Sequence, residues 1–196
     1  VQGNTVDINI NPGVTTSIVV KYNDFNRRLI VDPQIFAAVD IDNNANSINI
    51  EDHRFNTGDK VICSIDSNTS NLINNGIYYI VKLDNNNFKL STSYYDSKLL
   101  NPVTVNITGA DSGSFASVNP HIDLYKDSTV EFDVSDPSLG YDSQGSSYSA
   151  FEFNFYTDGN FNDLWEKTKD SKVFEVKKTG KIGVSADAKV SLTVNK

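Results

Sequence analysis

The chain has 196 residues and a mass of 21.7 kDa, enough for one good hydrophobic core or two small ones. Its 17 Lys and Arg against 25 Asp and Glu give a formal net charge of -8 and a pI near 4.6, a balance that repels phosphate backbones, so no nucleic-acid partner is expected. The single Cys63 excludes an intramolecular disulfide, and no apolar run approaches the roughly 20 residues that a membrane helix needs, so no membrane partner is expected.

Methionine is absent throughout, position 1 being Val1, so the expectation is a processed or excised piece of a longer protein. Asn, Asp, Ser and Thr outnumber Ala, Glu and Leu, which disfavours helices and supplies turns. Many short strands follow from that. In chain order, Val6, Ile8 and Ile10 alternate with Asp7 and Asn9 as a half-buried strand does, and Asn11-Pro12-Gly13 has the Pro and Gly placement of a type II turn. A second run passes through Ile18, Val20 and Tyr22, and a third, Leu29-Ile30-Val31, stops at Asp32-Pro33. Residues 1–33 therefore read as an N-terminal β segment, the tail of a preceding unit that packs on the next.

Residues 34–118 read as a small hairpin-rich β-barrel or sandwich. Strands are expected over 36–41 and 47–50 around the tract Asp42-Asn43-Asn44-Ala45-Asn46, then over 60–65, 77–83 and 88–91, with Asp84-Asn85-Asn86-Asn87 as the last turn. One helical turn is expected within 93–100 and a closing strand over 103–107. Asn119-Pro120 marks a joint, because Pro forces the preceding residue out of the α region. Residues 119–196 then read as a β-sandwich with strands over 122–124, 129–134, 151–156, 173–176 and 189–194. A short helix or lid over 161–169 holds the only tryptophan, Trp165. The fold class expected is all-β: two small antiparallel β-barrel or sandwich domains behind the N-terminal segment.

Chemistry is thin in this sequence. A nucleophile needs a base within hydrogen-bond reach, and the only histidines, His53 and His121, fall in different modules. Gly140-Tyr141-Asp142-Ser143-Gln144-Gly145 imitates a nucleophile elbow with the wrong spacing. Zinc lacks ligands. Asp158-Gly159-Asn160-Phe161-Asn162-Asp163 offers alternate oxygens, but Asp163 replaces the glycine and Lys169 the glutamate of a calcium loop. The reading is a non-enzyme with no catalytic, cofactor-binding or metal-ligating residue and no cofactor. Cys63, in the alternation Val61-Cys63-Ile65, reads as a buried small hydrophobe. The basic run Lys167, Lys169, Lys172, Lys177, Lys178 and Lys181 is interleaved with Glu166, Asp170 and Glu175 and reads as a solvated face. Aromatic platforms suited to sugars are the remaining candidates. Of the tyrosine pairs Tyr78-Tyr79 and Tyr94-Tyr95, at least one member each is core filler, which leaves the loop residues Tyr141 and Tyr148, with Trp165, as candidate receptor contacts.

Three blocks carry a resemblance. His53-x-Phe55-x-Thr57-Gly58-Asp59-Lys60-Val61, with Gly76-x-Tyr78-Tyr79-x-Val81-Lys82 and Phe88-Lys89-Leu90-Ser91, resembles a module recurrent in virion structural proteins of tailed phages. Leu124-Tyr125-Lys126-Asp127-Ser128-Thr129-Val130-Glu131-Phe132-Asp133, with residues 151–158 and 184–190, is similar to large structural proteins of T4-like marine cyanophages. The resemblance covers residues from about 30 onward. It implies a virion building block of the tail, baseplate or fibre apparatus, assembled in the host cytoplasm. Its implied partners are other virion proteins or copies of itself, with a host surface glycan as the alternative for a receptor-binding adhesin domain.

Overall fold

Strands are the main regular structure of the computed structural model, which describes residues 7–10, 12–118, 121–156, 164 and 174–195. The class is all-β. The chain divides into two compact units, one of residues 1–8 and 24–121, the other of 9–23 and 122–196. The first thirty-three residues are thus shared between the units, and the change of unit falls between His121 and Ile122. Asn119-Pro120, Val6, Asn11, the 158–163 tract, Trp165 with the rest of the expected 161–169 lid except Leu164, and Lys172 lie outside the described residues.

Strands β1 (Asp7–Ile10) and β2 (Thr15–Asn23) open the chain, and the expected turn at Pro12-Gly13 forms between them. In the first unit β3 (Arg28–Phe36), β4 (Ile41–Asp42), β5 (Ser47–Asn49), β6 (Lys60–Ile65), β7 (Ile77–Lys82), β8 (Asn87–Ser91) and β9 (Gly113–Ser117) lie in the order β3-β9-β6-β7-β8-β5-β4. Every pairing in that order is antiparallel, and β3 and β4 are not neighbours, so the sheet does not close into a barrel. Phe36 stacks on Phe115 at 5.0 Å, Phe88 meets Phe115 edge-on at 5.5 Å, and Ile30, Ile62, Ala116 and Val118 make a further cluster.

Several expected strands shift for identifiable reasons. Strand β3 does not stop at Asp32-Pro33 but passes through it on a bulge, with Asp32 at φ 51 and the register broken between Val31 and Gln34, a position that tolerates a residue without an N–H. The expected strand over 36–41 is interrupted by a 3-10 turn, Ala38–Asp40, because the Asp40 carboxylate takes the Ala37 N–H. The turn at Asp42 forms by accepting the N–H groups of Asn44 and Ala45. The helical turn expected within 93–100 is α1 (Tyr94–Ser97). Residues 103–107 make no ladder: Val105 donates to Leu90 O and Ile107 to Asn46 Oδ1, and β9 takes the place beside β6 instead.

In the second unit β10 (His121–Leu124), β11 (Thr129–Asp133), β12 (Gly140–Ser143), β13 (Ser146–Ser149), β14 (Phe174–Thr179) and β15 (Lys189–Val194) follow. The sheet order is β14-β15-β11-β2, and β11 runs parallel to β2, so this sheet is mixed where an antiparallel one was expected. More than 100 residues separate those two strands in sequence, ample for the crossover that a parallel pair requires. Residues 151–155 are extended in composition but join no ladder. Phe153 and Phe155 pack on Phe132 at 4.9 and 5.7 Å and Phe151 on Tyr22 at 5.0 Å, so side-chain burial fixes them without recruiting the backbone.

Candidate functional site

Tyr141 and Tyr148 are not loop residues: they face each other across the β12–β13 hairpin as a direct cross-strand pair. Gln144 and Gly145 both have positive φ, 51 and 77, the signature of a two-residue type I′ turn whose twist matches the strands. The register this imposes stacks the two rings with centroids 5.4 Å apart and 22° between planes. Both rings are exposed, Tyr141 by 54% and Tyr148 by 42%. The hairpin is anchored at its base. A 3-10 turn, Pro137–Leu139, buries Leu139, is capped by Asp136 on Ser138 N, and is tied to β2 by Tyr22 N–H donating to Ser138 Oγ at 2.9 Å and by a Lys21–Asp136 ion pair at 3.1 Å. Ser147 Oγ donates to Asp142 Oδ1 across the strands at 2.6 Å.

Lys181 ties the hairpin to the rest of the unit. Its ammonium lies 5.0 Å over the Tyr148 ring and donates to Ser147 O at 2.6 Å. The same side chain lines a groove of about 460 Å³ with Ser149, Phe151, Phe153, Asn154 and Lys178 among its walls. Lys178 Nζ donates to Asn154 Oδ1 at 2.8 Å, and Lys189, also on the groove, pairs with Glu131 at 3.0 Å. Lys178 and Lys181, expected on a solvated face, line this groove instead, and Lys189 joins them from β15. The signal available was Lys189 at the head of an apolar strand run, a position that the fold sets opposite Asp133 and diagonal to Glu131.

The residues of the first motif block serve the fold instead. His53 is fully buried; its Nδ1 accepts the Phe55 N–H at 3.0 Å, so the neutral ring carries its proton on Nε2, which donates to Asp84 O at 3.1 Å. Phe55 and Phe88 flank the ring at 5.5 and 5.0 Å. Burial there holds the His53 pKa below its ordinary value. Thr57 Oγ1 accepts Lys82 N–H, Gly58 N–H donates to Ile80 O, and the buried Asp59 accepts Asn56 N–H, so the block is a turn that launches β6. Tyr78 is buried with its hydroxyl on Ile73 N–H, while Tyr79 packs edge-on against Tyr94. Cys63 is buried, and burial first, with the Asp111 charge second, pushes its thiol up to about 12, which removes it as a nucleophile at neutral pH.

Asp111, which the sequence reading missed, is a buried carboxylate holding a loop. It accepts the hydroxyl of Ser67, the hydroxyl and N–H of Thr69 at 2.9 and 3.3 Å, and the N–H and hydroxyl of Ser70 at 2.9 and 2.5 Å. Burial raises its pKa, but these donors overcome that and hold it well below the usual carboxylate range. Among the described residues no group of three His, Cys, Asp or Glu side chains is placed to hold a metal, and no helix is long and apolar enough to cross a membrane. Comparison with known proteins finds no matching family model, no matching curated protein and no matching solved structure.

Proposed function

We propose that this chain is a structural module of a phage virion, from the tail, baseplate or fibre apparatus, acting through protein–protein contacts with other virion proteins or with copies of itself. The sequence blocks support that reading, and the observation that carries it is the loop of residues 94–103. There Leu100 is 97% exposed and Tyr95 72%, with Val103 exposed beside them in sequence. The loop is pinned rather than loose: Ser93 caps α1 through Asp96 N–H, Val103 N–H donates to Asp96 O, and the Lys98 ammonium binds Thr57 O. Apolar side chains held in water by a fixed backbone have no route to burial within their own unit, and a partner surface removes that cost.

The test is peptide mapping of purified particles of the phage that encodes the chain, with a photo-reactive residue at position 100. Peptides of this chain in the particle, and cross-links from position 100 to another virion chain, are expected. A particle without these peptides overturns the reading. A second reading, a receptor- or glycan-binding adhesin domain, is favoured by the stacked, exposed Tyr141–Tyr148 pair, and selective binding on a glycan array checks it.

A further inference from the structure

We infer that the groove beside the tyrosine hairpin is a binding site for a sugar acid, a saccharide bearing a carboxylate. The inference rests on the receptor reading of the tyrosine pair and adds the site and the charge of its ligand. Phe151, Phe153, Ile182 and Val190 give the groove apolar walls, and its volume of about 460 Å³ suits one or two sugar rings. Lys181 lines the groove and lies over the Tyr148 ring, so the aromatic platform and the groove share this side chain.

Charge selects the class of ligand. Among the described residues, Lys178, Lys181 and Lys189 line the groove together with one carboxylate, Glu152, in a chain whose formal net charge is -8. Lys189 is neutralised by Glu131, but the partners of Lys181 are a carbonyl and an aromatic ring, both neutral. An ammonium has three donors, and the Ser147 carbonyl orients one of them, which presets the charge for an incoming carboxylate. Extended polyanions meet the repulsion of the acidic surface at long range, whereas a short ligand carrying a single carboxylate feels the local lysines more. Ser149 Oγ, whose proton goes to Ile182 O, keeps acceptor lone pairs for a sugar hydroxyl, and Tyr141, stacked on Tyr148 by one face, keeps its other face for the apolar side of a pyranose ring.

The experiment is calorimetric titration of the full chain with a glucuronic-acid-containing disaccharide and with its glucose counterpart, at low and high salt. The acid is expected to bind about tenfold tighter than the neutral sugar, and Lys181→Gln to erase that preference, the change one charge-assisted hydrogen bond supplies. Tyr141→Ala should weaken both sugars while leaving their ratio, and an unchanged thermal unfolding midpoint in Lys181→Gln shows that the hairpin is intact. Equal affinity for the two sugars overturns this inference and leaves the receptor reading standing. Binding of neither overturns both.

Discussion

In the unit of residues 24–121 the distinctive polar side chains point inward: His53, Asp59 and Asp111 are buried, and each bonds the backbone of its own or a neighbouring loop. In the unit of residues 9–23 and 122–196 they point outward, as the tyrosine hairpin and the groove lysines. The contrast separates two meanings of a conspicuous residue. A buried polar group must be satisfied where it sits and so specifies the fold, whereas an exposed one costs the fold little to change and is available to a partner. The sharpest way to break the comparison is Asp111→Ala. It removes the acceptor shared by Ser67, Thr69 and Ser70, of which Ser67 and Thr69 are exposed and can turn to water, so a loss of about 2 kcal/mol in urea unfolding is expected, against less than about 1 kcal/mol for Tyr148→Ala on the exposed hairpin. Equal losses for the two variants would dissolve the distinction.

How far the sequence revealed this follows the same line. Strands with clean alternation were legible, β6 and β15 to the residue, as were the Asp42 and Asp84 turns, whose side chains cap their own backbone. Strand β9 was not. Its Gly-Ser-Phe-Ala-Ser run carries loop-like propensities, yet four of its five residues are buried, because the small residues admit a neighbouring backbone: a Cβ on Gly113 would lie 2.0 Å from Ser64 O. Tyr141 and Tyr148 stand out by type, but the Gln144-Gly145 between them reads as a loop, because Gln-Gly is a weaker hairpin signal than Asn-Gly. The groove was hidden because its walls come from 149–154, 178–182 and 189–190, and no local pattern joins them.

A smaller effect tests the inward side at a single proton. His53 has its pKa lowered by burial among Phe55 and Phe88, with the Lys82 charge adding to the shift, and its Nδ1 must stay unprotonated to accept the Phe55 N–H. The unfolded chain therefore binds more protons than the folded one just below the ordinary histidine pKa of about 6.5. The stabilising contribution is present above that pH and is lost as the pH falls below it towards the folded pKa. Urea midpoints between pH 7.5 and 5.5 should fall for the native chain, and the fall should be shallower in His53→Asn, whose amide oxygen keeps an acceptor for Phe55 without titrating there. Parallel slopes in the two proteins would show that His53 is not the group responsible.

Ser91 is the exception that sharpens the inward rule, and it carries the smallest expected effect. It lies on β8 opposite Tyr79, is fully buried, and its hydroxyl has no hydrogen-bond partner among the described residues. If satisfaction is what makes a buried polar group tolerable, removing this hydroxyl should help where removing Asp111 harms. Ser91→Ala deletes the desolvated donor without opening more than the space of one oxygen, so a gain of about 0.5–1 kcal/mol in urea unfolding is expected. A loss of similar size would mean that the hydroxyl is bonded to a buried water, and Ser91 would then join His53 and Asp111 as a satisfied part of the scaffold. Either sign leaves the outward-facing hairpin untouched, since Ser91 and the tyrosines belong to different units.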